Sequence, residues 1–130
     1  MKILVGYDGS NAAKDALKLA IRQATAFKAK VLIVTSRSSG ELEEVDALKE
    51  DEKKLEWAKG LFDDAGVEND THLLIRGMSP GEDIVAFAKE QEVDSIIIGV
   101  KRRSKVGKVL FGSNAQFIIL NASCPVTTVK

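Results

Sequence analysis

The sequence predicts an α/β protein built on an open, doubly wound, parallel five-stranded sheet with helices on both faces. Three observations predict it. Short apolar runs with β-branched residues alternate with amphipathic stretches at helical spacing, in the order β-α-β-α-β-α-β-α-β. Several of those runs are continuously apolar, as strands covered on both sides must be. The 130 residues are enough for one domain to bury such a sheet without a disulfide or metal staple. No linker, internal repeat or low-complexity tract marks a second unit, so residues 1–130 read as a single domain.

The elements follow in order. Lys2–Tyr7 reads as a buried strand ended by the turn Asp8-Gly9-Ser10. Ser10 or Asn11 caps the next segment, where Ala13, Leu17, Ala20, Ile21 and Ala24 recur at helical spacing to about Phe27. Val31–Val34 is the second strand, and Thr35 to Gly40 a polar loop. A long amphipathic helix runs from Glu41 to about Ala65. Leu48, Leu55, Leu61, Phe62 and Ala65 form its buried stripe, Glu50 and Lys54 pair at i,i+4, and Gly66 stops it.

Thr71–Ile75 reads as the third strand. Ser79-Pro80-Gly81-Glu82 opens a helix, with Ser79 as N-cap, Pro80 in the first position and Glu82 closing a capping box. Ile84, Val85, Phe87 and Ala88 are its apolar face. Asp94–Gly99 carries the strongest strand signal, with Ser95 to Ile98 small or apolar enough for burial on both sides. A basic loop, Lys101 to Lys108, follows. Ser113-Asn114-Ala115-Gln116 is a second capping-box pattern, opening a helix to about Leu120, and Pro125–Val129 is the last strand.

Composition excludes several function classes. Nineteen basic residues balance nineteen acidic ones, which argues against a nucleic-acid or membrane partner. No apolar run reaches the ~18–20 residues of a membrane span, and the amino-terminal run does not read as a signal peptide, so a cytoplasmic location is expected. The lone Cys124 permits no intrachain disulfide. It reads as a small semi-buried hydrophobe, with a reactive thiol as the alternative. His72, the one histidine, lies in the weak third strand and reads as strand packing or surface. No Ser-His-Asp set or metal cluster assembles around it. Asp63-Asp64 and Glu43-Glu44 read as a wet helix face, Trp57 and Met78 as packing residues. Gly107 to Gly112 has a Walker A gap, but Ser113-Asn114 follows where Lys-Ser/Thr is required.

Open parallel sheets bind ligands outside the carboxyl ends of the strands, where the winding reverses. If the first and fourth strands meet there, the site gathers Asp8, Gly9, the Thr35-Ser36 end of the second strand and the loop after Gly99. That loop holds Lys101, Arg102, Arg103, Lys105 and Lys108, five cations in eight residues of a neutral chain. Gly112-Ser113 then leads into a helix whose first N–H groups lack intrahelical partners. Such an end favours an anion by roughly 0.3–1 kcal/mol. Two readings stand at this point: a phosphate site, or a solvated loop with Ser113 as a helix cap. Asp8 likewise either caps the first helix or accepts hydrogen bonds from a ribose hydroxyl.

The stretch from Gly99 to Ser113 resembles the signature of the universal stress protein family. ATP-binding members have Gly, two residues, Gly, nine residues, then Gly-Ser or Gly-Thr; here Gly99, Gly112 and Ser113 match in identity and spacing. The opening Ile3-Leu4-Val5-Gly6-Tyr7-Asp8-Gly9-Ser10 resembles the family's first strand, and Ser123-Cys124-Pro125-Val126-Thr127-Thr128-Val129 its last, so the similarity spans the whole chain. The resemblance implies the family's fold, of the adenine nucleotide alpha hydrolase-like type, and an adenine nucleotide as ligand: ATP, with Mg2+ as its counter-ion. It implies that Asp8 and Gly9 meet the adenosine, that backbone near Val34 and Thr35 meets the adenine, and that Gly99 and Val100 lie beside ribose and phosphates. Arg102, Gly112, Ser113 and Asn114 would surround the phosphates. It further implies a homodimer through Pro125–Val129 and a regulatory role in stress response. One departure stands out. Arg102 occupies the signature's second Gly, where it either obstructs the phosphates or forks its guanidinium onto them.

A nucleotide-binding regulatory module is therefore the expected function, and a nucleotide-free protein-interaction module with a degenerate phosphate site the alternative. The downstream partner is not legible. A receiver domain shares the alternation but needs an Asp ending the third strand, where this chain has Ile75-Arg76-Gly77. No catalytic residue is identified, and any ATP hydrolysis is expected to be slow.

Overall fold

The alternation of side chains along each strand feeds two separate cores. In the computed structural model, which describes residues 1–38, 45–101 and 112–130, the elements are β1 (Lys2–Gly6), α1 (Asn11–Phe27), β2 (Lys30–Arg37), α2 (Val45–Asp64), β3 (Asn69–Ile75), α3 (Pro80–Glu90), β4 (Ser95–Gly99), α4 (Ser113–Asn121) and β5 (Val126–Val129). On β1, Ile3 and Val5 pack with Leu17 of α1 and Phe62 of α2, while Leu4 packs on the other side with Ile84 and Phe87 of α3. The period of two thus places α1 and α2 over one face and α3 and α4 over the other.

All strand pairs are parallel, in the order β3-β2-β1-β4-β5. The winding reverses between β1 and β4, as the sequence reading required for its site. The order also separates the fold from the flavodoxin-like 2-1-3-4-5 arrangement used by receiver domains.

The second strand is longer than expected. Thr35, Ser36 and Arg37 continue β2 and pair with Leu73, Leu74 and Ile75 of β3. Each polar side chain has found a partner: Thr35 the Tyr7 carbonyl, Ser36 the Asp83 carboxylate and Arg37 the Asp51 carboxylate. A polar run reads as a loop in sequence, but satisfied hydrogen bonds let it stay in the sheet.

On α2 the buried residues are Asp51, Leu55, Ala58 and Phe62. Leu48 and Leu61 are partly buried and Ala65 is exposed. Asp51 enters the stripe because Arg37 neutralises it. Glu50 meets Lys53, 3.9 Å away, rather than Lys54, whose stem lies against Gly9. The expected helix start, Glu41 to Glu44, lies outside the described residues. Trp57 is half-exposed rather than packed inside. Its ring stacks on Tyr7 with centroids 6.2 Å apart, and the Lys14 ammonium sits 5.5 Å from it.

Capping departs from the sequence pattern twice. Ser10 caps α1 as expected, its Oγ accepting from the Ala13 N–H at 3.1 Å. Ser79 occupies the N-cap of α3, but its hydroxyl bonds the Glu82 carboxylate at 2.9 Å and no backbone N–H, so the capping box is not formed. In α4 the N-cap is Gly112 and Ser113 is already helical, so the Ser113-Gln116 box is absent as well.

Candidate functional site

At the reversal point a crevice of about 220 Å³ opens between the carboxyl ends of β1, β2 and β4 and the first turns of α3 and α4. Its apolar wall comes from Val34, Ile84, Ile98, Ala115 and Ile118. Its polar groups are Asp8, Thr35, Ser36 and Asn114, together with Tyr7 at the base of the β1–α1 turn. Burial, and then the Asp8 carboxylate, pushes the Tyr7 phenol above its ordinary range, so it stays protonated at neutral pH.

The residues expected from sequence separate into three groups. Asp8, Val34, Thr35, Gly99 and Asn114 line the crevice. Gly9, Val100, Gly112 and Ser113 do not. Gly9 supplies the left-handed turn (φ 84°) after β1. Val100 is buried in the second core, with its N–H donated to the Val129 carbonyl at 2.7 Å. Gly112 and Ser113 are exposed at the start of α4. Arg102, and with it most of the basic loop, lies outside the described residues; Lys101 is described and exposed.

Three of these residues also have partners within the protein. Asp8 does not cap α1, since Ser10 does. One Asp8 oxygen accepts from the Ser10 N–H at 2.9 Å, and the other has no partner among the described residues. Gly99 is needed because α1 begins against it. A Cβ there would lie 2.5 Å from the Ala12 carbonyl carbon and from the Ala13 nitrogen. Asn114 locks two helix starts together, its Oδ1 accepting from the Gly81 N–H of α3 at 2.9 Å.

Sequence reasoning missed the polar support behind the crevice. Asp83 in the first turn of α3 has no exposed surface. Its Oδ1 receives Arg76 Nε at 2.5 Å and its Oδ2 receives the Ser36 hydroxyl at 2.8 Å. Arg76 also holds both oxygens of Glu90, at 2.8 and 3.0 Å. Glu90 first, then Asp83, raises the guanidinium above its usual range, so its charge is fixed. The sequence signal was available: Asp83 adjoins Ile84 on the apolar face of a helix, where a carboxylate needs a partner.

The two helix starts differ electrostatically. The first turn of α3 already contains Glu82 and Asp83, whereas that of α4 has no acidic residue and no side-chain cap. An anion is therefore favoured at α4 and opposed at α3. Among the described residues no group of three or more His, Cys, Asp or Glu is placed to hold a metal ion, and no helix is long and apolar enough to cross a membrane. Cys124 packs against the second core, where burial, and then Asp94, raises its thiol pKa and keeps it protonated.

Comparison with known proteins agrees with this geometry. The profile of the universal stress protein family matches residues 1–130. A universal stress protein of Methanocaldococcus jannaschii is 31% identical, over 99% of this chain and 81% of that protein. The structure of a universal stress protein from Archaeoglobus fulgidus aligns with a TM-score of 0.91 at 37% identity, covering 100% of this chain and 98% of the other. The structure of the universal stress protein from Archaeoglobus fulgidus in complex with dAMP aligns at 0.86 and 34% identity, with coverage of 100% and 98%.

Proposed function

The chain belongs to the universal stress protein family, and from that premise we propose that its crevice binds an adenine nucleotide and that the protein is a single-domain regulatory module of the stress response, acting in the cytoplasm. The observation that carries this reading is the crevice at the winding reversal, apolar along Val34, Ile84, Ile98 and Ile118 and rimmed by the Asp8 carboxylate, one oxygen of which has no partner among the described residues. The dAMP complex of the Archaeoglobus relative supports the ligand class. At about 220 Å³ the space is smaller than the ~300–1,000 Å³ that encloses a whole small ligand. It suits a base and part of a sugar, with Asp8 accepting from ribose hydroxyls and the phosphates extending toward the uncapped, acid-free start of α4.

ATP is the form we assign, with Mg2+ carried on its phosphates. Asp8 is the only carboxylate among the described lining residues. Binding acts by stabilising one conformation through differential affinity, with any ATP hydrolysis slow.

Calorimetry with Mg-ATP tests the reading. Saturable binding is expected, weakened at least about tenfold, or ~1.4 kcal/mol, in Gly112→Val. Gly112 has an ordinary φ of −64° and no neighbour among the described residues within 4 Å of a built Cβ, so that variant should fold and lose only about 1 kcal/mol from the weaker N-cap. No binding up to millimolar ligand would leave the interaction-module reading in its place.

Self-association through Pro125–Val129 belongs to the same proposal. β5 is a sheet edge. The Pro125 and Val129 carbonyls accept from β4, so the alternate residues Val126 and Thr128 turn their backbone groups to the open side. Thr128→Pro removes one outward N–H and no β4 bond. Sedimentation equilibrium should show a dimer for the parent chain and a folded monomer for this variant; a monomeric parent chain rules the interface out.

A further inference from the structure

Thr35 and Ser36 end β2 with their side chains on opposite faces of the sheet, Ser36 on the crevice face with Val34, and the partners of the two hydroxyls fix where each proton points. Thr35 Oγ1 lies 2.6 Å from the Tyr7 carbonyl oxygen. A carbonyl only accepts, so the shared proton is that of Thr35. Ser36 Oγ lies 2.8 Å from Asp83 Oδ2, in a carboxylate ion-paired to Arg76 and fully buried. That carboxylate also only accepts, so the proton there is that of Ser36. Each hydroxyl has one proton and has committed it to the protein. What Ser36 retains for a ligand on the crevice face is oxygen lone pairs.

We propose that Ser36, oriented by Asp83, is a specificity-determining residue that selects a ligand presenting an amino group to this end of the crevice over one presenting a carbonyl oxygen. Among purine nucleotides that means 6-amino over 6-oxo. This rests on the adenine-nucleotide reading of the same crevice. The selectivity comes from the cost of turning the hydroxyl round. To donate to a ligand carbonyl, Ser36 must withdraw its proton from a carboxylate with no exposed surface, leaving Oδ2 without a donor. If Ser36 stays put, two acceptors face each other. A ligand amino group meets neither penalty. Asp83 is thus a positioning residue, itself held in place by the Arg76 guanidinium.

AMP and IMP, which differ in that one substituent edge, are the probes. Titrated calorimetrically into the full chain, AMP is expected to bind at least about tenfold more tightly. Ser36→Ala removes the acceptor without touching the Arg76–Asp83 pair. It should weaken AMP, relieve IMP of the facing acceptor and bring the ratio close to one. Asp83→Asn makes the sharper prediction. The Asn oxygen can remain on Arg76, which keeps Glu90, while the new amide donates to Ser36 and releases the serine proton into the crevice. The preference should then move toward IMP, further than in Ser36→Ala. A purely structural role for Asp83 would weaken both nucleotides equally and leave the ratio unchanged. Equal affinities in the parent chain, or an AMP preference that survives Ser36→Ala, overturn this inference and leave the nucleotide site standing. Binding of neither nucleotide overturns both.

Discussion

The Gly99→Ala variant should melt about 10 °C below the parent chain, a loss of about 3 kcal/mol, the upper end of the usual cost of overpacking. The added Cβ would sit 2.5 Å from the Ala12 carbonyl carbon and the Ala13 nitrogen, and 2.7 Å from the Ala12 oxygen. All three are backbone atoms of the first turn of α1, so no side chain can swing aside to admit the methyl. Either β4 or the whole helix must move, yet Ala16, Leu17 and Ala20 hold that helix against the sheet with no exposed surface. Gly112→Ala is the matched control, since a Cβ there meets nothing among the described residues. It should cost no more than about 1 kcal/mol, the effect of a poorer N-cap. Thermal unfolding followed by circular dichroism separates the two, and coincident melting curves would show that the α1–β4 approach is not tight in solution. Displacing α1 also displaces Asp8 and Ala13 at the crevice. Loss of nucleotide binding in Gly99→Ala would therefore report on packing, and Gly112→Val is the cleaner probe of the ligand.

Which parts of this arrangement were legible in sequence follows from physical cause. The order of nine elements was readable because apolar period and β-branched runs are local signals, and β1, β4 and the apolar face of α3 came out where those signals put them. Thr35 to Arg37 were misread because their strand character depends on partners 28, 47 and 14 residues away, at Tyr7, Asp83 and Asp51. The α4 cap was misread because the Ser-x-x-Gln pattern is satisfied one register too late: Gly112, not Ser113, holds the extended cap conformation. At the site, the family signature led to Gly99, but the reason for that glycine is a helix arriving from 86 residues earlier. Ser36, Asp83 and Arg76 were passed over because none belongs to a motif. Only the tertiary contact turns a polar strand end and a helical carboxylate into one hydrogen-bonded unit.

That unit yields the second large effect. Arg76→Ala should destabilise the protein by about 3 kcal/mol, while Glu90→Ala should cost less than about 1 kcal/mol, although both remove a salt bridge from the same guanidinium. The difference lies in what is left behind. Glu90 is half-exposed and water replaces it, and without Glu90 the Arg76 guanidinium remains on Asp83. Asp83 has no exposed surface, so removing Arg76 leaves a carboxylate with the Ser36 hydroxyl as its remaining side-chain donor. The figure sits at the low end of the 3–5 kcal/mol for broken buried pairs because the Arg76 side chain is 30% exposed and its loss admits water. Some of the loss is packing, since the guanidinium carbon lies 5.7 Å from the Phe87 ring centre. A double variant separates the two contributions. Asp83→Asn added to Arg76→Ala removes the stranded charge but not the packing defect, so the double variant should be more stable than Arg76→Ala alone in urea denaturation. If the second substitution instead destabilises further, the Asp83 charge was never the source of the cost, and the polar support behind the crevice acts through shape alone.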